Sequence, residues 1–236
     1  MDRDTLVRVD LQKPHWGNYE ANLSFLTKTG LLSSRLNVLE IGCGKGAVVR
    51  ALHAKGHRVC GIDRDLAVLR EGRAPDAAVT TLAASGDALP FRDGEFDVVL
   101  SFDVFEHIPD SDRHVSEVSR VLKPGGSYLI QTPNKLTNVP FETVRFSRKY
   151  GLRNAFKFLE YPEHCALHTY WSLRRRLERH GFHVTYHDVA VVNEFFRFKL
   201  RRFLGPLGVA ALRVINPDKL PMPLRTNLFV EARRKA

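Results

Sequence analysis

The stretch Val38-Leu39-Glu40-Ile41-Gly42-Cys43-Gly44-Lys45-Gly46 decides how the rest of the chain reads. Its first half is a short apolar run, which predicts a buried strand over residues 37–41. Glycines at 42, 44 and 46 then let the backbone turn tightly and approach a ligand where a Cβ would clash. Residues 47–55 read as the following helix, with the positive end of its dipole toward the loop. The spacing is G-x-G-x-G, with Glu40 two places before the first glycine. Dinucleotide binders use G-x-G-x-x-G to hold a pyrophosphate. A carboxylate at 40 would repel phosphate and suits a ligand with a cationic amino-acid tail, which argues against a nicotinamide dinucleotide.

Outward from this loop, strands alternate with helical stretches. Strands are predicted over 57–62, 78–82, 96–102 (FDVVLSF), 127–132, 182–192 and 226–231, and helices over 65–73, 113–122, 141–161 and 172–180. Lys123-Pro124-Gly125-Gly126 reads as a turn. The alternation predicts an α/β fold: a Rossmann-like, doubly wound, mostly parallel seven-stranded sheet with helices on both faces. We expect one domain over 1–236. Within it, 1–35 form a helical lead-in or lid, 36–135 the cofactor core and 136–192 acceptor-side elements. Residues 193–224 are a basic and apolar insertion before the last strand.

Two further carboxylates follow strands in the same half of the sheet. Asp63 ends the second strand, where an acid can accept from both ribose hydroxyls of an adenosyl group; alone, it could equally be a helix N-cap. Asp87 follows the third strand, where a side chain can accept from an adenine amino group. In order along the chain, VLEIGCGKG, GIDRD, SGDALPF, FDVVLSFDVFEHIPD and LKPGG resemble the successive motifs of class I methyltransferases that use S-adenosylmethionine (SAM). The resemblance is to the small-molecule branch, close over 36–132 and weaker over 163–192. It implies SAM as cofactor, with Glu40, Gly42, Cys43, Gly44 and Gly46 around its methionine end. Asp63 would hold the ribose, Arg64 would lie by the adenine, and Asp87 and Ala88 would read the adenine edge. Ser101 and Phe102 would face the cofactor from the fourth strand.

Methyl transfer to a hydroxyl gains from a base that takes the proton. Asp103, Glu106 and His107 follow the fourth strand, at the edge where ligands bind in such sheets. His164 and His168, in EHCALHTYWSL, lie in a loop the family uses to complete the acceptor pocket. Each histidine has a plainer reading: hydrogen bonding around the pocket or within its covering loop. A metal is not expected, because no third ligand accompanies the histidine pair. His15, Trp16 and Tyr19 read either as a lid or as helix packing.

The charge is lopsided. Residues 1–140 hold 17 Lys+Arg and 18 Asp+Glu, whereas 141–236 hold 19 and 8. A basic excess confined to one end suggests an anionic partner or a solvated face. On a helix from 194, Phe196, Leu200, Phe203, Leu204 and Leu207 share a side, with Arg197 and Arg201 beside it. That fits an anionic membrane surface met through 193–215, or a cap or dimer face. The expected function is O-methylation of a small or lipid-linked acceptor, with an anionic acceptor as an option. An RNA methyltransferase is the second expectation, weakened by the absence of an aromatic stacking platform. A non-catalytic SAM-binding regulator is the third. Three scattered cysteines, no signal-peptide pattern and no transmembrane run suggest a cytoplasmic protein, with peripheral membrane attachment as an option.

Overall fold

The structure, a computed structural model, describes residues 18–72, 79–154, 165–192, 194–214 and 216–236. Seven strands form one sheet: β1 (Asn37–Ile41), β2 (Arg58–Asp63), β3 (Thr80–Ala83), β4 (Phe96–Phe102), β5 (Leu122–Pro133), β6 (Phe182–Tyr186) and β7 (Asn227–Arg234). Their spatial order is β3-β2-β1-β4-β5-β7-β6. The first five run parallel, and β7 is antiparallel to both β5 and β6. The doubly wound, mostly parallel sheet expected from the alternation is therefore the fold.

Among the described residues, seven helices accompany it: α1 (Tyr19–Thr29), α2 (Ala47–Ala54), α3 (Leu66–Glu71), α4 (Ser111–Val121), α5 (Lys135–Tyr150), α6 (Tyr170–Arg179) and α7 (Glu194–Ala211). Both faces of the central strands are covered, which is why their sequences are nearly continuous apolar runs. Leu39, Ile130 and Val230 pack with Val115 and Val118 of α4 and Leu173 and Leu177 of α6. Val38, Leu100, Leu129 and Phe229 pack with Phe25 and Leu26 of α1 and Val49 and Leu52 of α2. Phe25 meets Phe229 edge-to-face at 5.4 Å and Phe102 at 6.3 Å, pinning α1 across the strand ends.

Several boundaries differ from the sequence reading. Lys123–Gly126 is not a turn between elements but a bulge within β5. Phe96 pairs with Leu122 while Val98 pairs with Ser127, so four residues of β5 are looped out. Gly125 carries the positive φ (75°) that this excursion needs. The helix after β5 starts at Lys135 rather than 141, because the Asn134 side chain accepts from the Leu136 N–H and starts it upstream of Pro140. Its predicted end, together with residues 155–164, lies partly outside the described residues. β6 stops at Tyr186, not 192, and β7 runs on to Arg234.

Between β6 and β7 the chain makes α7, broken at Gly205 (φ 68°) just before Pro206, and then two short 3₁₀ turns. Asp218 anchors the far end of this stretch: the two carboxylate oxygens accept from the N–H groups of Val191 and Val192 at 2.8 and 3.0 Å. Among the described residues, no helix is long and apolar enough to cross a membrane.

Candidate active site

Sheet order reverses between β1 and β4, and ligands of such sheets bind beyond the carboxyl ends of the strands at that point. A cleft of about 360 Å³ lies there. Ile41 and Gly42 line it from β1, Asp63 and Arg64 from β2, and Ala84 to Asp87 from the loop after β3. Phe102 and Asp103 end β4, and Val104 and His107 to Pro109 close the wall. A larger hollow, about 1030 Å³, opens at the amino ends of β1, β2 and β4 and is lined by Asn37, Arg58 and Phe96. It lies at the wrong end of the strands for this chemistry.

The glycine loop is held by its neighbours. Gly42 has φ 72°, and a Cβ there would come within 2.1 Å of a Val104 methyl. Its N–H and that of Cys43 both donate to the Ile62 carbonyl. Asp63 ties the loop to the turn after β2: Oδ2 accepts from the Gly44 N–H and Oδ1 from the Asp65 N–H, each at 2.9 Å. Asp65, not Asp63, is the N-cap of α3. Arg50 donates to the Lys45 and Gly72 carbonyls and braces the loop from below.

Glu40 is buried under this loop. One carboxylate oxygen accepts from the Val49 N–H in the first turn of α2, whose N-cap, Gly46, has no side chain to offer. The other, Oε2, is buried and has no partner. Burial, reinforced by Asp63, pushes its pKa up to about 8. A buried carboxylate with a vacant lone pair is a costly arrangement unless a cation or donor completes it. The cationic amino group of SAM has the chemistry to do so, and the residues present therefore fit the cofactor.

Not every residue assigned to the cofactor lines the cleft. Cys43 is buried beneath the loop, where it fills the space left by Gly61, whose Cβ would lie 2.7 Å from the Cys43 sulfur. Ser101 is fully buried near Tyr128 and does not line the cleft, although its register partner Ile41 does. Ala88 is exposed at the edge of the Ser85–Ala88 turn.

The three histidines separate. His107 is on the cleft wall, about one third exposed, with Nε2 3.9 Å from Glu106 Oε1. Glu106 is buried behind it and accepts from the Thr132 hydroxyl at 2.9 Å. Burial and the adjacent Asp103 raise its pKa to about 8. His168 is buried against the Phe105 ring edge, and burial lowers its pKa to about 4. It does not line the cleft, because Phe105 packs between β4 and α4 and the histidine sits behind it. His164 lies outside the described residues, as do His15 and Trp16. Tyr19 is buried, with Glu40 and Arg50 acting on its hydroxyl. Among the described residues, no group of three or more His, Cys, Asp or Glu could hold a metal ion.

One feature of the site had no reading in the sequence. Asp103 has a left-handed backbone (φ 54°), rare for a residue other than glycine. Its carboxylate accepts from the Asn18 amide with both oxygens and from Gln131 Nε2 at 3.0 Å. These bonds join α1, β4 and β5 at the mouth of the cleft. D-x-x-E-H after a strand is visible in the sequence, but nothing local announces an asparagine 85 residues away as a partner.

Residues 39–130 match the family model described as "Methyltransferase domain". A Mycolicibacterium smegmatis protein named "Probable S-adenosylmethionine-dependent methyltransferase" is 40% identical over 104 residues, 44% of this chain and 40% of that one. The likeness to SAM-dependent methyltransferases therefore lies in the segment that carries the glycine loop and the strand-end acids. The chain spans about two fifths of the length of the curated relatives it matches. The fold likeness extends further. A SAM-dependent methyltransferase from Mesorhizobium loti superposes with a TM-score of 0.61 at 18% identity, over 92% of this chain and 98% of that one. A Haemonchus contortus phosphoethanolamine N-methyltransferase, solved with S-adenosylhomocysteine, gives 0.60 at 22% identity over 92% of this chain and 53% of that one. At these identities the two structures show a shared fold, and it extends over 92% of this chain.

Proposed function

We propose that the methyltransferase transfers the SAM methyl group to a hydroxyl of a small or lipid-linked acceptor, with His107 as the base. The observation that carries this reading is the Glu106–His107 pair: an imidazole about one third exposed on the cleft wall with a buried carboxylate behind it. SAM supplies an electrophilic methyl on a sulfonium, so alignment does most of the work, worth up to about 7–11 kcal/mol in well-oriented systems. Glu40 and Asp63 hold the cofactor's two polar ends. His107 takes the acceptor proton, and the Glu106 carboxylate, when ionised, stabilises the imidazolium that results. Phe102 and Val104 make the adjoining wall apolar and keep water from competing.

Among the described residues that line the cleft, carboxylates outnumber Lys and Arg: Asp63, Asp87 and Asp103 against Arg64. The reacting end of the acceptor is therefore neutral, and any anionic part belongs outside, toward the basic C-terminal third. The exposed Arg197, Arg201 and Arg202 of α7, with Leu207 83% exposed, support an anionic membrane surface or lipid-linked acceptor as the partner there. N-methylation is a second reading. Asp103 could hold a cationic amine, and the Haemonchus relative was solved with phosphomonomethylethanolamine.

Incubation with radiolabelled SAM and a fractionated extract tests this. Label in lipid or a small metabolite, stable to base as an ether, supports the first reading; label on an amine supports the second. Label in RNA would replace both with an RNA methyltransferase. Tight SAM binding with no labelled fraction would leave a non-catalytic regulator.

A further inference from the structure

The loop after β3 carries the adenine end of the cleft, yet residues 84–95 contain neither helix nor extended strand. Something else must fix it, because a displacement near 1 Å at a binding loop can cost about a hundredfold. The bonds that do so come from one helix. His114 Nδ1 lies 2.6 Å from the Gly86 carbonyl. Three residues on, Glu117 Oε2 accepts from the Leu89 N–H at 2.8 Å. Three further, Arg120 donates to the Leu89 and Phe91 carbonyls at 2.9 and 2.7 Å. Residues three apart are neighbours on a helix surface, so these side chains form a shallow stripe along α4, with the loop laid against it.

The first rung is the most constrained. A carbonyl only accepts, so Nδ1 carries the proton, and Nε2 of the neutral ring accepts from the Tyr128 hydroxyl at 2.7 Å. His114 and Tyr128 are both fully buried. Burial lowers the histidine pKa to about 4, which keeps the ring in this neutral state at ordinary pH. Gly86 itself is wedged: a Cβ would come within 2.9 Å of Ile108 Cδ1 and 3.1 Å of Ile41 Cγ2. Ile41, Ile108, Gly86 and Asp87 all line the cofactor cleft. A shift at Gly86 therefore moves the cleft wall directly.

We propose that α4 sets the adenine end of the cleft, with His114 a positioning residue that locks the Ser85–Ala88 turn between Tyr128 and the cofactor, and Glu117 and Arg120 the outer rungs. The proposal rests on the assignment of this cleft to SAM.

The test uses three variants, with calorimetric titration of S-adenosylhomocysteine and of adenosine. His114→Asn puts an amide N–H where Nδ1 stands and keeps the bond to Gly86. His114→Gln puts it where Nε2 stands and keeps only the Tyr128 side. His114→Leu keeps neither. Affinity for both probes should fall about ten- to a hundredfold in His114→Leu and His114→Gln, by the same factor for each probe, and should return to within about threefold of wild type in His114→Asn. Turnover at saturating SAM should change by less than about threefold in all. If His114→Leu does not fold, the Asn–Gln contrast decides alone. Equal affinities for those two, or losses that follow only the melting temperatures, would overturn the positioning role. If the wild-type protein binds neither probe, it is the cofactor assignment that fails.

Discussion

The two halves of the molecule hold their shape by different means. From Asn37 to Asp65 the loops are tied by backbone geometry and by acids at strand ends: Gly42 on the Ile62 carbonyl, Asp63 on two N–H groups, Glu40 on the first turn of α2. Beyond Pro133 the ties run from isolated side chains to distant carbonyls and amides. Asn134 donates to the Pro223 and Arg225 carbonyls, Arg225 to the Leu220 carbonyl, and Asp218 reaches back to Val191 and Val192. The first half is braced locally, whereas the second is held mainly by contacts between segments far apart in the chain.

The contrast breaks most readily at its strongest point. Asp63→Ala removes the brace on Gly44 and the proposed ribose acceptor, and should weaken S-adenosylhomocysteine binding by more than about a hundredfold in calorimetry. If affinity survives, the first half is not a cofactor frame. Next is the pair behind the cleft wall. His107→Ala should lower kcat by about a hundredfold with little change in the Michaelis constant for SAM. Wild-type kcat should rise with pH up to about 8, as the raised Glu106 loses its proton, and Glu106→Gln should abolish that limb of the profile.

A smaller effect tests the second half. Replacing Arg197, Arg201 and Arg202 together by Glu should reduce sedimentation with phosphatidylserine-containing vesicles by about tenfold or more and leave S-adenosylhomocysteine affinity unchanged. Loss of both would mean the halves are not independent. Smallest is a linkage effect. Glu40 has an ordinary pKa near 4.5 and a folded value raised to about 8, so the folded state favours its neutral form. Its contribution is fully present below pH 4.5 and fades as the pH climbs to 8. Thermal melts of the cofactor-free protein should therefore flatten across that window in Glu40→Gln, relative to wild type. An unchanged slope would show that Glu40 is not the strained group.

The same contrast explains what the sequence made legible. Glycines with positive φ and acids directly after apolar strands act within a few residues, so strands, order and cofactor loop could be read locally. The buried runs of β1 and β4 gave the sheet. Lys123-Pro124-Gly125-Gly126 carried true turn chemistry, but only the pairing of Phe96 with Leu122 reveals that the strand resumes across it. Ser101 lies off the cleft lining because strand alternation says which residues share a face, not how far along the strand the ligand end begins. His168 carries chemistry suited to catalysis, and only packing reveals that Phe105 screens it. The Asn18–Asp103–Gln131 junction and the α4 stripe join residues 28 to 85 positions apart, a range over which no local pattern operates.

The long excursion between β6 and β7 joins two strands that are already side by side. Closure entropy rises only logarithmically with length, about 0.6 kcal/mol per doubling. The sheet is therefore nearly indifferent to how much chain is spliced in at this seam. Chain spliced in between Val192 and Asp218 leaves the strand pairings and the buried Val189 and Val191 in place, so this seam tolerates exchange of a whole segment without refashioning the sheet.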